Sequence, residues 1–197
     1  MARQAKNLAP GRVRIIAGLW RGHRIEVPAV EGLRPTPDRV RETLFNWLGQ
    51  DLSGLSCLDL FAGSGALGFE AASRGAARVV LVERDRVALA ALERSRSALG
   101  ARGVEIAAGD AFARLRSETT RFDVVFLDPP FRQNALPALL PLLPRCLAPQ
   151  ARVYVEAEDA FEAMAPWREL KRARAGQVSY QLLEWDEHDQ SGVSGNV

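Results

Sequence analysis

From residue 55 onward, short runs of contiguous apolar residues alternate with longer stretches in which apolar positions recur every three or four residues. The contiguous runs, at 55–60, 78–83, 103–107, 122–127 and 151–156, have the length and composition of strands buried on both faces. Helical spacing fills the intervals at 65–74, 86–98, 110–117 and 134–147. This alternation predicts a parallel sheet covered by helices on both faces. The pattern changes near the end, where segments 168–174 and 177–185 flank Ala175-Gly176 and predict a closing β-hairpin.

The first 50 residues read differently. Two β-like pieces, 12–18 and 24–27, surround a turn at Arg21-Gly22-His23, and a loop at 32–37 leads into a helix. Thr36 is a good N-cap and Pro37 a good first helical residue, and Val40, Thr43-Leu44 and Trp47-Leu48 recur at helical spacing as a core-facing stripe. The predicted organisation is a basic N-terminal hairpin-plus-helix extension over 1–50, an α/β domain over 51–189, and a Ser/Gly-rich disordered tail over 190–197.

Composition narrows the class. With 197 residues, 47% hydrophobic and 25% charged, the chain suits one soluble domain with a substantial core. The longest apolar stretch, 135–147, is broken by three prolines and Arg145, too short to span a bilayer. The N-terminus has no apolar h-region, so a cytoplasmic location is expected. Cys57 and Cys146 lie far apart without a CxxC or a nearby His cluster, so two buried thiols are expected and no metal site. The net charge of +2 is unevenly spread: residues 1–48 hold nine Lys/Arg against four Asp/Glu. Such a segment suits a polyanionic partner.

Two motifs carry chemistry. The first is Asp128-Pro129-Pro130-Phe131, directly after the apolar run at 122–127. Proline rings fix φ and remove N–H donors, leaving a rigid segment that presents mainly acceptors. With an aromatic beside it, the segment suits a planar ring bearing an exocyclic amine. The second is Leu58-Asp59-Leu60-Phe61-Ala62-Gly63-Ser64-Gly65-Ala66-Leu67-Gly68, a strand, a glycine-rich turn and a helix start. Its glycines satisfy the dinucleotide fingerprint, and Glu83 follows about twenty residues later. The glycine motif alone is open between a nicotinamide cofactor and S-adenosylmethionine. Asp59, Glu83 and Asp110 at successive strand ends favour S-adenosylmethionine: a carboxylate for its ammonium, one for its ribose hydroxyls and one for its adenine amine. Taken singly, each has a plainer reading, with Asp110 as the N-cap of the next helix.

With these residues in place the chain resembles class I S-adenosylmethionine-dependent methyltransferases, and more narrowly the bacterial 16S ribosomal RNA guanine-N2 methyltransferases of the RsmD type. The matching stretches are Ile16-Ala17-Gly18-Leu19-Trp20-Arg21-Gly22, the block 34–46, the glycine loop, Asp128 to Phe131, and Gly176-Gln177-Val178-Ser179-Tyr180. The glycine loop and the Asp-Pro-Pro-Phe motif are class-wide; the block 34–46 is the specific part. The resemblance implies a Rossmann-like, seven-stranded, mostly parallel sheet with an antiparallel last strand. It implies methylation of a guanine N2 amine in small-subunit 16S rRNA. The RNA is expected within a small-subunit assembly particle, and nothing in the sequence demands more than a monomer. Asp59, Phe61, Gly63, Ser64, Gly65, Glu83, Asp110 and Ala111 then match cofactor-binding positions, and Asp128, Pro129, Pro130 and Phe131 the catalytic target-base site.

On this reading Asp128 and the Pro129 carbonyl accept hydrogen bonds from the amine, and Asp128 takes or relays its proton. Phe131 stacks on the extruded base, a contact worth about 1–3 kcal/mol. Arg34, Arg21, Arg24, Arg39 and Arg41 are candidate phosphate contacts, with pairing to Asp38 or Glu42 as the alternative for Arg39 and Arg41. Adenine-N6 methylation remains open, because the Asp-Pro-Pro-Phe motif does not distinguish the two bases. A nicotinamide oxidoreductase is disfavoured: its only lysines, Lys6 and Lys171, have no Tyr-Lys setting. A non-catalytic RNA-binding assembly factor is the third alternative.

Overall fold

The computed structural model describes residues 11–130 and 135–186. The N-terminal section forms a two-stranded antiparallel sheet, β1 (Gly11–Arg14) and β2 (Arg24–Val27), followed by α1 (Asp38–Leu48). Then come β3 (Ser56–Asp59), α2 (Ala66–Ser73), β4 (Arg78–Glu83), α3 (Arg86–Leu99), β5 (Val104–Ala108), α4 (Ala111–Ser117) and β6 (Phe122–Leu127). A short α5 (Leu136–Leu139) precedes β7 (Leu147–Ala157), β8 (Trp167–Ala175) and β9 (Val178–Trp185).

Strands β3 to β9 form a seven-stranded sheet in the order β5-β4-β3-β6-β7-β9-β8. The first five of these strands in chain order are parallel, and β9 inserts antiparallel between β7 and β8. The antiparallel last strand and the closing hairpin at Gly176 therefore stand as expected. Chain order reverses between β3 and β6, which opens a crevice at their carboxyl ends.

Alternate residues of each strand feed two cores. Cys57, Val79, Leu81, Val124, Phe126 and Tyr154 pack on one face with Leu44, Phe45, Phe69 and the hairpin's Ile15 and Ile25. Leu58, Val80, Val125, Val153 and Leu183 face the other way, onto Leu115, Leu136 and Leu139. The N-terminal hairpin and α1 thus share the core of the first face with the sheet. Both cysteines are buried and unpaired, and desolvation pushes their thiols up to about 12 for Cys57 and about 11 for Cys146.

Polar side chains bolt the N-terminal section to α2. Glu70, fully buried, accepts from the backbone amides of Ile16 (2.8 Å) and Ala17 (3.0 Å) and pairs with Arg41 and Arg74. Ser73 Oγ accepts from Trp20 N and donates to Ala17 O. Gly18 lies so close that a Cβ there would sit 1.8 Å from Ser73 O. This contact explains why the run 16–22 has its sequence: it is a docking loop, and β1 ends at Arg14 instead of continuing to 18.

Three further expectations are corrected. The helix predicted over 134–147 is one turn of α5 and two 3-10 turns, because Pro137, Pro141 and Pro144 remove donors and block regular helix. Its first position, 134, lies outside the described residues, as does the tail 190–197. Pro37, not Thr36, is the N-cap of α1, and Thr36 turns its side chain to Glu156 instead. Arg41 is no phosphate contact. Its guanidinium is buried and hydrogen-bonds Glu70, Asp38 and the carbonyls of Thr36 and Arg14.

Candidate active site

The candidate catalytic and cofactor residues among the described residues gather along the carboxyl ends of the parallel strands. Asp59 ends β3, Glu83 ends β4, Asp110 follows β5, Asp128 follows β6, and Glu156 lies near the end of β7. Side-chain alternation puts Asp59, Asp128 and Glu156 on the α1–α2 face, in line with Cys57, Phe126 and Tyr154.

The glycine turn joins β3 to α2. Gly63 and Gly65 have φ of 52° and 78°, a region only glycine enters cheaply. A Cβ on Gly65 would meet the Phe69 ring at 2.6 Å, and one on Gly68 would meet Leu81 at 2.1 Å, so these two glycines also let α2 pack. The Gly63 amide donates to Glu83 Oε2 at 2.8 Å, while Glu83 Oε1 accepts from the amides of Arg84 and Asp85. Glu83 therefore fastens the turn to β4. Phe61 is half-buried, and Ser64 and Ala111 are buried in the turn and at the start of α4. Asp110 caps α4 through Oδ1, which accepts from Phe112 N and Ala113 N, and Oδ2 is directed to neither amide. Capping and ligand binding are thus compatible roles for this carboxylate.

Asp59 is 2% exposed and accepts a 3.3 Å hydrogen bond from Phe61 N. Desolvation, reinforced by the charges of Glu83 and Glu156, pushes its carboxyl up to about 7. Burial and the charges of Glu156 and Asp59 likewise raise Asp128 well above the usual carboxylate range. Pro129 is buried and Pro130 exposed; Phe131 lies outside the described residues. No arginine or lysine among the described residues pairs with Asp59, Asp128 or Glu156. The strand ends thus gather three carboxyl groups with no cation among the described residues, a set that fits a cationic ligand and opposes a pyrophosphate. That favours the ammonium and sulfonium charges of S-adenosylmethionine over a nicotinamide dinucleotide.

Two residues, Glu156 and Leu33, went unnoticed in the sequence. Glu156 is 4% exposed, accepts from Tyr154 Oη at 2.8 Å and hydrogen-bonds Thr36. The signal for it was present: it closes an apolar strand, as Asp59 and Glu83 do. Leu33 lies over the glycine turn, where a Cβ on Gly63 would sit 3.4 Å from its Cδ1. The segment 32–37 therefore passes above the strand ends, with Leu33 on the turn and Thr36 on Glu156. Arg34 between them is exposed, as are Arg21, Arg24 and Arg39, and none of the four has an ion-pair partner among the described residues. His23 is exposed, with Nδ1 3.1 Å from Trp20 O.

A family model described as "Conserved hypothetical protein 95" matches residues 13–184. Ribosomal RNA small subunit methyltransferase D of Escherichia coli is 42% identical over 186 residues, spanning 92% of this chain and 94% of the relative. The chain belongs to this RsmD-type family. The Haemophilus influenzae methyltransferase D is 44% identical, over 89% of this chain and 95% of its own length. Among solved structures, a putative methyltransferase from Escherichia coli superposes with a TM-score of 0.80 at 43% identity, covering 89% of this chain and 99% of that one. An RNA methyltransferase from Salinibacter ruber, solved with S-adenosyl-L-homocysteine, shares the fold with a TM-score of 0.64 at 23% identity, covering 79% of this chain and 95% of that one. The RsmD-type stretches quoted from the sequence fall on the docking loop, on α1, on the glycine turn and on the segment after β6.

Proposed function

We propose that this RsmD-type protein transfers a methyl group from S-adenosylmethionine to the N2 amine of a guanine in small-subunit 16S rRNA. The observation that carries the reading is the cluster of carboxyl groups at the switch point, Asp59 at the end of β3 and Asp128 just after β6, without a cation among the described residues. Its relatives' names support RNA of the small subunit as the substrate class. When bound, S-adenosylmethionine supplies an electrophilic methyl group.

The chain's own residues divide the remaining work. Asp59 neutralises the ligand's ammonium, Glu83 accepts from its ribose hydroxyls, and Asp110 Oδ2 accepts from its adenine amine. Phe61, Ser64 and Ala111 line the same pocket. A guanine amine is a poor nucleophile because its lone pair is delocalised into the ring. Asp128 and the Pro129 carbonyl accept its two N–H bonds, hold the nitrogen in line and favour its pyramidal form. Asp128 then takes the proton. Pro130 stiffens the segment, and Phe131 stacks on the base. Arg34, Arg21, Arg24 and Arg39 neutralise phosphates of the bound RNA.

The protein acts as a cytoplasmic monomer on RNA within an assembling small subunit, and 1–50 serves as the RNA-binding extension. No helix among the described residues is long and apolar enough to cross a membrane. Calorimetry with S-adenosylmethionine and with NADH, followed by transfer of labelled methyl to under-methylated small-subunit particles, tests the reading. Binding of NADH alone, or no label in RNA, overturns it.

A further inference from the structure

The parallel register pairs Phe126 with Tyr154 and Leu127 with Val155, so the next residues, Asp128 and Glu156, lie side by side on adjoining strand ends. Glu156 is almost wholly buried, yet it is held by two hydroxyls, Tyr154 Oη at 2.8 Å and Thr36, and by no cation among the described residues. The ionisable groups that face it are Asp128 from β6, Asp59 from β3, and Tyr154 beside it on β7; Tyr180 of β9 adjoins Tyr154. Two adjacent carboxylates in such surroundings disfavour each other's ionisation, so the pair takes its first proton more readily than either group alone.

Resting on the methyl-transfer reading above, we propose that Glu156 is a positioning residue whose carboxylate charge beside Asp128 makes the ionised pair a stronger base toward the target amine than Asp128 alone. Thr36 and Tyr154 hold Glu156 in place, and Asp128 alone touches the amine. The raised carboxyls of both residues agree with a pair that takes up one proton readily. An isolated exposed aspartate, ionised down to about pH 4, is a far weaker base.

The transfer balances as follows. The amine lone pair forms the new N–C bond while the methyl–sulfur bond breaks, its electron pair staying on sulfur. The nitrogen becomes cationic; one N–H bond breaks, its electrons return to nitrogen, and the proton passes to Asp128. The ionised pair then shares that one proton, which leaves to water before the next turnover.

The test compares wild type with Glu156→Gln, which keeps the size and the acceptor for Tyr154 but removes the charge. Two measurements are made: the pH profile of kcat and KM, and the titration of carboxyl carbons in the cofactor-free protein by 13C NMR. In Glu156→Gln the acid limb and the Asp128 midpoint both move down, on the order of one pH unit. Plateau kcat falls several-fold, and KM for RNA stays within about twofold. Tyr154→Phe removes a hydrogen bond that favours ionised Glu156, so the pair holds its proton more tightly and the limb shifts up, by less. A purely structural Glu156 changes kcat at every pH without moving the limb, and that outcome overturns the proposal. If Glu156→Gln does not fold, the wild-type titration decides: two carboxyl midpoints well separated support the pair, and both below pH 5 overturn it. A wild type that shows the split titration yet transfers no methyl to RNA refutes the parent reading and leaves the pairing standing.

Discussion

Replacing Asp59 with asparagine stabilises the cofactor-free protein while it abolishes cofactor binding. The carboxyl sits at 2% exposure and is pushed from 3.8 up to about 7. The sign follows from that direction. A raised carboxyl binds its proton more tightly in the folded state, so its contribution is fully present below pH 4 and is lost as pH rises toward 7. At pH 7 the loss amounts to about 4 kcal/mol, an upper bound for what the neutral isostere recovers. Half of it raises Tm by about 4–8 °C for a chain of this size. Asp128 and Glu156 shift in the same direction, so the wild-type curve alone does not isolate Asp59. The informative quantity is the difference in urea-unfolding free energy between Asp59→Asn and wild type, from pH 4 to pH 8. It is near zero at pH 4 and grows to favour the variant above pH 7, while S-adenosylmethionine no longer raises the variant's Tm. A pH-independent difference, or a variant less stable than wild type at pH 7.5, refutes the reasoning.

Four other outcomes follow from the same geometry. Cofactor binding to wild type at pH 6 releases nearly one proton, read by calorimetry in buffers of different ionisation enthalpy, because the ligand's ammonium draws Asp59 into its ionised form. Glu70→Ala leaves the buried guanidinia of Arg41 and Arg74 without their carboxylate and costs about 3–5 kcal/mol in urea unfolding. Gly65→Ala is strained at φ 78° and presses on Phe69, so it loses about 1–3 kcal/mol from backbone strain alone, measured by thermal denaturation. Arg34→Glu weakens RNA binding and lowers the slope of log affinity against log salt by about one, with cofactor affinity unchanged; an unaltered RNA affinity removes Arg34 from the interface.

Much of this fold was legible because contiguous apolar strands and amphipathic helices have different periods. Strands β3, β4, β5 and β6 lie within a residue or two of the expected limits, and the antiparallel β9 agrees with the hairpin read at Ala175-Gly176. What escaped was three-dimensional pairing. Arg41 and Glu70 stand 29 residues apart, and a local reading sees an exposed-looking arginine and a helical glutamate where the structure has a buried ion pair. Glu156 lies next to Asp128 only through the β6–β7 register, and Thr36 reaches it only because α1 packs on that face. The proline-rich span before β7 misled for a different reason: its leucines recur at helical spacing, while its prolines forbid a long helix.

The most direct test of the account is nucleoside analysis of small-subunit RNA after incubation of the protein with labelled S-adenosylmethionine and under-methylated particles. The account predicts label in N2-methylguanosine, lost in Asp128→Ala while cofactor affinity is kept. Label in N6-methyladenosine, or undiminished transfer by Asp128→Ala, contradicts it.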